Sequence, residues 1–168
     1  MIINPTAVYG PRDKDFFFLL KSIEKHIEVY IGSTKQLLSF IHVHDLVEAI
    51  FLSMESSAVN QNLLVSDLKL YTAKTFNHII KKNLNKKTIS LNVPAYMAGL
   101  FALIAEISGR IRGKAAVLNR ESLKEFGAMN WSVDCAEIIK LGFVPQFNLE
   151  EGLKHTILWY KEHGWIKG

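Results

Sequence analysis

The chain has 168 residues, 49% of them apolar, and its 20 Lys and Arg against 16 Asp and Glu give a formal net charge of +4. Compact domains commonly have about 100–200 residues, so this length provides one hydrophobic core and excludes a complete enzyme made of two large lobes. A charged fraction of 21% with positive mean hydropathy excludes intrinsic disorder.

Cys135 is the only cysteine, so the chain forms no internal disulfide, and a reducing cytoplasm is the expected compartment. The N-terminus has no basic segment before an apolar run, which argues against a signal peptide. The longest apolar stretch, Ala95–Ile107, contains Glu106 and is shorter than the roughly 18 residues of a membrane span. We expect a buried helix there and no membrane span.

Four lysines, at 81, 82, 86 and 87, form the densest charged group, at the end of a predicted helix. Cations at this position complement the helix dipole, so a solvated helix end is the favoured interpretation. No basic stripe alternates with aromatic residues as it does on strand-binding surfaces, and we expect no nucleic-acid partner.

Strand and helix signals alternate over residues 1–93. Short aliphatic runs predict strands, and apolar residues at helical spacing after a capping residue predict helices. This alternation favours an α/β fold with parallel strands. The predicted strands are 2–9, 27–31, 37–43, 63–65 and 88–93, and the predicted helices begin after Asp13, Asp45 and Thr72.

The sequence becomes mostly helical after residue 93. Asn148 and Glu151 have the spacing of a capping box, and Gly142 and Gly164 stand where glycine often ends a helix. The predicted helices are 94–112, 120–126, 132–141 and 149–163.

Four segments follow one another in a characteristic order: 4–13 (NPTAVYGPRD), 39–46 (SFIHVHDL), 141–145 (LGFVP) and 150–153 (EEGL), with Trp159 after them. Together they resemble the C-terminal half of the extended short-chain dehydrogenase/reductases, the NAD-dependent epimerases and dehydratases. The resemblance implies an α/β fold with a partial Rossmann-like sheet and a small, mostly helical substrate-binding lobe. Residues 1–93 would supply the distal strands and substrate-lobe insertions, and residues 94–168 the helical lobe, in one compact unit.

The motifs that carry this family's chemistry are missing from the chain. The glycines never take the G-x-x-G-x-x-G spacing that holds a dinucleotide at a helix N-terminus. The catalytic Y-x-x-x-K pair is also absent, because the residues four places after the five tyrosines are Asp13, Thr34, Thr75, Leu100 and Gly164. We therefore predict no catalytic residue here, and a chain that is inactive alone.

The resemblance implies one edge of the cofactor site and part of the substrate site. Pro5 and Thr6 would lie beside the nicotinamide, and Asn4 would reach the substrate. Tyr9, Arg12 and Phe17 would lie near the mouth of the substrate site. From the residues alone, Asn4-Pro5 is equally a turn that ends a strand, and Arg12 is equally a solvated side chain after a Gly-Pro turn.

The substrate class stays open. Nucleotide-sugar members of the family carry an Arg shortly before the aromatic residue that corresponds to Phe40, whereas Leu37, Leu38 and Ser39 stand here. The candidate substrates are therefore a nucleotide sugar and other alcohols and ketones, including sterol-like or flavonoid-like ones.

Two clusters have a structural alternative that we favour. His42, His44 and Asp45 have side chains that can bind a metal. Asp45 suits a helix cap better, and no other third ligand is nearby in the sequence. We therefore predict no metal. Cys135 lacks an activating pattern and is expected to be a core thiol.

The expected cofactor is NAD or NADP in the intact enzyme, with weak or no binding by this chain alone. Cutting such a sheet exposes a strand edge, so we expect self-association or pairing with an N-terminal half. The alternative is a free-standing binding or regulatory module of the same ancestry, which would bind a small ligand at micromolar concentration by itself.

Overall fold

The computed structural model describes residues 1–31, 36–57, 59–93 and 130–166, whose strands form four pairs. Three pairs are parallel: β1 (Ile2–Pro5) with β6 (Asn62–Val65), β2 (Ala7–Tyr9) with β5 (Phe40–His42), and β3 (Ile27–Ile31) with β8 (Ile89–Val93). The fourth, β4 (Leu37–Leu38) with β7 (Tyr71–Thr72), is antiparallel. β1 and β2 are separated only by Thr6, so the first extended segment changes its pairing partner there.

Five helices are described: α1 (Asp15–Glu24), α2 (Val43–Glu55), α3 (Ala73–Leu84), α4 (Ala136–Lys140) and α5 (Leu149–Glu162). The predicted caps of α3 and α5 are confirmed, because Thr72 accepts from the Thr75 N–H and Asn148 from the N–H groups of Glu150 and Glu151. Among the described residues, none of the helices has the length and apolar character required to cross a bilayer.

The described residues contain two hydrophobic clusters. The first joins α1, α3 and α5 to β2 and β5, and Tyr9, Phe40 and Leu153 are among its buried members. The second joins α2 and α4 to β5 and β6, through buried residues that include Ala49, Leu63 and Ile138. The α4 helix thus lies on β6 and the α2 helix on β2 and β5, so helices cover parallel strands as expected of an α/β fold.

Asp45 connects the two clusters. Its buried carboxylate accepts hydrogen bonds from the backbone N–H groups of Gln146 (3.0 Å) and Phe147 (3.1 Å). These residues directly precede the Asn148 cap, so the first turn of α2 fixes the start of α5. The prediction that Asp45 caps its own helix is wrong: the N-cap of α2 is His42, and Asp45 caps the turn before α5 instead.

A second buried carboxylate holds the β3–β8 pair on α3. Glu28 accepts from Lys81 Nζ (2.8 Å), Thr88 Oγ1 (2.9 Å) and Ser90 Oγ (3.1 Å), and from the Tyr30 hydroxyl. Burial alone would raise the pKa of Glu28, but these hydrogen bonds lower it to about 2. The carboxylate therefore stays ionised and fully hydrogen-bonded at neutral pH.

Other predicted elements differ in extent. The strand predicted over 27–31 is confirmed as β3, whereas the helix predicted over 132–141 is reduced to α4. Asp13 accepts from the Phe16 N–H at 3.3 Å, although the N-cap position is Lys14. The helices predicted at 94–112 and 120–126 lie outside the described residues.

Replacing Asp45 by Ala is expected to lower the free energy of unfolding by about 3 kcal/mol, because two buried N–H groups lose a charged acceptor. Asp134→Ala is the matched control, since its exposed carboxylate accepts one N–H group, that of Ala136, and its loss should cost about 1 kcal/mol. Urea denaturation of both variants measures the difference. Equal losses of unfolding free energy in the two variants would show that the hydrogen bonds of Asp45 stabilise the fold no more than an exposed cap does.

Candidate functional site

A groove of about 540 Å³ lies at the carboxyl ends of β1 and β6. The two strands are parallel and Pro5 pairs with Val65, so both strands end at this edge. Open α/β sheets bind their ligands outside the carboxyl ends of the strands. The groove is lined by Asn4, Pro5, Thr6, Ala7 and Leu64 on one side and by residues 130–133 on the other.

The β1 side of the groove is fixed by hydrogen bonds to β6. The Asn4 side-chain amide donates to Asn62 Oδ1. Both the backbone N–H and the hydroxyl of Thr6 donate to the Val65 carbonyl, at 3.0 Å and 3.2 Å. The Asn4 carbonyl oxygen and the Thr6 hydroxyl oxygen keep capacity to accept a ligand hydrogen bond.

The opposite wall is the segment Asn130–Val133, which no motif in the sequence indicates. Asn130 bridges to Leu37 of β4, and the Trp131 N–H donates to the Leu37 carbonyl at 2.9 Å. The buried indole nitrogen of Trp131 has no hydrogen-bond partner among the described residues. Only the three-dimensional pairing with β4 brings this wall to Asn4, more than a hundred residues away in sequence.

The described lining of the groove contains no side chain that titrates near neutral pH. It consists of amides, hydroxyls, an indole and aliphatic groups. Such a surface orients a ligand by hydrogen bonds and apolar contact, but it supplies no general acid or base. The described lining thus offers hydrogen-bonding and apolar groups only.

The structure does not bring the other predicted residues to this groove. Tyr9 is 1% exposed and lies in the core, with its ring against Phe16, Phe40 and His42. A Cβ atom on Gly152 would stand 2.1 Å from the Tyr9 hydroxyl oxygen, so a glycine is required there. Burial raises the pKa of Tyr9 far above its ordinary value. A substrate contact of Tyr9 stays a prediction.

Phe17 and Arg12 do not line this groove, and Phe17 packs on the first cluster. The Phe17 ring packs edge-on against Tyr160 (5.3 Å between centroids) and Trp165 (5.1 Å). Arg12 is exposed and has a φ of 71°, in the turn between β2 and α1. Their roles at a substrate mouth also stay predictions, whereas Asn4, Pro5 and Thr6 share one groove.

His42 and His44 lie together with Phe147 and His155. The His42 ring centroid is 4.3 Å from that of Phe147, 5.2 Å from His44 and 5.4 Å from His155. Within the described ranges, no group of three or more potential ligands is arranged to hold a metal. Burial, followed by the neighbouring His155 and His44, lowers the pKa of His42 to about 4. His42 is therefore neutral near pH 7 and forms part of the packing.

Cys135 is a free thiol that is 5% exposed, with its Sγ 3.3 Å from the Ser66 hydroxyl oxygen.

Several curated proteins are similar to the chain over nearly its whole length. An N-acetyl-α-D-glucosaminyl-diphospho-ditrans,octacis-undecaprenol 4-epimerase of Escherichia coli O157:H7 is 25% identical over 93% of the chain and 47% of that protein. Human short-chain dehydrogenase/reductase family 42E member 1 is 27% identical over 96% of the chain and 44% of that protein. The chain thus spans about half the length of the curated relatives it matches. No protein-family profile matches it.

Solved structures give the same proportion. A UDP-glucose 4-epimerase of Thermotoga maritima with UDP-glucose superimposes with a TM-score of 0.71 and 18% identity, over 96% of the chain and 45% of that protein. A dTDP-glucose 4,6-dehydratase of Streptomyces venezuelae with NAD bound also has a TM-score of 0.71, with 17% identity over 99% of the chain and 45% of that protein. The predicted fold class, a partial Rossmann-like α/β fold, is confirmed.

The stability of the fold is expected to fall between pH 6.5 and pH 4 because of His42. The folded state holds this imidazole neutral, with a pKa of about 4 against 6.5 in the unfolded chain. Between pH 6.5 and pH 4 the unfolded chain binds a proton that the folded state does not. The contribution of neutral His42 to the free energy of unfolding is therefore complete above pH 6.5, and about 3 kcal/mol of it is lost near pH 4.

Urea denaturation across this pH range, with His42→Asn beside wild type, measures the effect. The variant should have the shallower pH dependence. His78→Asn, at an exposed histidine, should follow wild type. Parallel curves for wild type and His42→Asn would contradict the assignment.

Proposed function

We propose that this chain, which is related to the extended short-chain dehydrogenase/reductases of the NAD-dependent epimerase/dehydratase family over about half of their length, is the substrate-binding C-terminal portion of such an enzyme. It contributes binding groups and is inactive alone. The intact enzyme would move a hydride between NAD(P) and a carbinol carbon, in an epimerisation, a dehydration or a reduction.

The groove at the carboxyl ends of β1 and β6 is the observation that supports this role. It joins Asn4, Pro5 and Thr6, which the family resemblance assigns to substrate and cofactor, on a single surface. Its described lining has groups that can hydrogen-bond or pack against a ligand, but no side chain that exchanges a proton near neutral pH. A portion that holds substrate while another portion supplies the acid/base pair would have this composition.

The cofactor would touch this chain along one edge only. Pro5 and Thr6 suit contact with a nicotinamide ring, since Pro5 offers an apolar, exposed surface and the Thr6 oxygen still accepts a hydrogen bond. The described residues of the groove include no cation and no glycine-rich turn that would hold a pyrophosphate. We therefore propose weak or no binding of NAD or NADP by this chain alone. The proposed compartment is the reducing cytoplasm, which the free Cys135 favours.

The substrate is a nucleotide sugar or another alcohol or ketone. The 4-epimerase from Thermotoga maritima was solved with UDP-glucose, and the Escherichia coli relative acts on a lipid-linked amino sugar. Amide and hydroxyl groups beside an indole suit a hydroxylated ring, whose oxygens take hydrogen bonds and whose C–H face packs on an aromatic surface.

The open edge of β1 is the proposed contact with an N-terminal half or a second copy. Ile2 and Thr6 donate their N–H groups to Gln61 and Val65 on the β6 side, so Ile3 directs its backbone groups to the other edge. No described strand pairs there. Ile2 is 63% exposed beside this edge, and an unpaired apolar edge favours association.

At tens of micromolar, light scattering is expected to give a mass above the 19.1 kDa of the monomer. Ile2→Lys should return the chain towards a monomer, because lysine on an edge strand opposes pairing. Val144→Lys, at a position 77% exposed outside any strand, is the control that should not. A wild-type chain that is a clean monomer would count against association through the β1 edge.

Substrate binding is tested by nuclear magnetic resonance of the 15N-labelled chain with millimolar UDP-glucose. We expect weak, fast-exchanging shifts confined to the amides of Asn4, Thr6 and Ser132 and to the indole N–H of Trp131, with the Trp159 indole unmoved. Asn4→Ala should weaken the binding further.

Saturation at micromolar UDP-glucose would instead favour the free-standing binding module. Shifts elsewhere on the chain, with none in the groove, would overturn the proposed site.

A further inference from the structure

The β3–β8 pair has one polar face and one aliphatic face. Glu28 and Ser90 are hydrogen-bonded to each other on the face that packs towards α3. Because side chains alternate along a strand, Ile27, Ile89 and Leu91 lie on the opposite face. They are 39%, 74% and 48% exposed. This aliphatic face extends along both strands and contains no charged residue at its described positions.

A basic groove of about 790 Å³ lies at the end where both strands begin. It is lined by His26, His78, Lys81, Lys82, Lys86 and Lys87, together with Asn85 and Thr88, and none of these is acidic. Lys81 pairs with Glu28 and Lys82 with Glu150. The net positive charge of the groove therefore comes from Lys86 and Lys87.

The basic groove and the aliphatic face adjoin. Lys87 stands two residues before Ile89, and His26 directly precedes Ile27. The hydrogen bond between the His26 ring and the Lys87 carbonyl (2.7 Å) holds the two strand entries together. At about 3.3 Å per residue, the aliphatic side chains of β8 extend roughly 7–13 Å from Lys87.

We propose that the aliphatic face of β3–β8 and the lysines at its end form a docking surface for a bilayer that contains anionic lipids. The lysines would contact phosphate headgroups, and Ile89 and Leu91 would enter the headgroup–acyl boundary. This surface is distinct from the β1–β6 groove, and its test is independent of the proposed substrate role.

Charge and side-chain chemistry decide the occupant. Cations beside exposed aliphatic groups complement an anionic headgroup above an apolar layer. Nucleic acid would use the lysines but leave the aliphatic face in water, and the face lacks the aromatic residues on which bases stack.

The experiment is co-sedimentation of the purified chain with large vesicles, made either of phosphatidylcholine alone or of phosphatidylcholine with 30% phosphatidylglycerol. We expect sedimentation with the anionic vesicles and little with the neutral ones. Lys86→Gln/Lys87→Gln should weaken partitioning about thirtyfold, because each cation near an anionic surface contributes roughly a fivefold factor. Ile89→Gln/Leu91→Gln should lower it by a similar or larger factor.

Leu158→Gln is the control for the aliphatic face, because Leu158 of α5 is also 48% exposed. Lys140→Gln/Lys154→Gln is the control for charge number, at exposed lysines away from β8. Circular dichroism establishes that each variant is folded. Three results would overturn the proposal: no binding to anionic vesicles, equal binding to both kinds, or controls that weaken binding as much as the β8 variants do.

Discussion

One buried carboxylate links the first turn of α2 to the turn before α5. Asp45 receives two backbone N–H groups from the turn before α5, about a hundred residues later. The α5 helix then places Leu153 and Tyr160 in the first hydrophobic cluster. The Tyr160 hydroxyl donates to the carbonyls of Gly10 (3.2 Å) and Asp13 (2.6 Å), which fixes the turn after β2. The segment that carries Asn4, Pro5 and Thr6 is therefore fixed by its hydrogen bonds to β6 and, beyond β2, by α5.

Close contacts at Gly10 and Gly152 exclude residues with a larger side chain at these two positions. A Cβ atom on Gly10 would lie 2.5 Å from Val43 Cγ1, and one on Gly152 would overlap the Tyr9 hydroxyl. Both glycines thus allow contacts between elements that are far apart in sequence. They belong to the packing of the core, and the segments that signal the family, around residues 4–13 and 150–153, are partly explained by this packing.

Local sequence signals predicted the elements well, because strands such as β6 and caps such as Thr72 depend on neighbouring residues. They failed where a distant contact decides. Asp45 has the spacing of a helix cap, yet a backbone turn from the other end of the chain takes its oxygens. Asn4, Pro5 and Thr6 could be named because they form one motif, whereas Trp131 could not, since only its pairing with Leu37 brings it to the groove.

The proposed role depends on a contrast between the hydrogen-bonding groove, which includes Asn4 and Thr6, and the acid/base and phosphate-binding motifs that are absent from the sequence. Isothermal titration of the purified chain with NAD, followed by an assay for epimerisation of UDP-glucose with NAD present, tests it most directly. We expect no saturation at micromolar NAD and no turnover. A dissociation constant in the low micromolar range, or any turnover by the 168-residue chain, would contradict it.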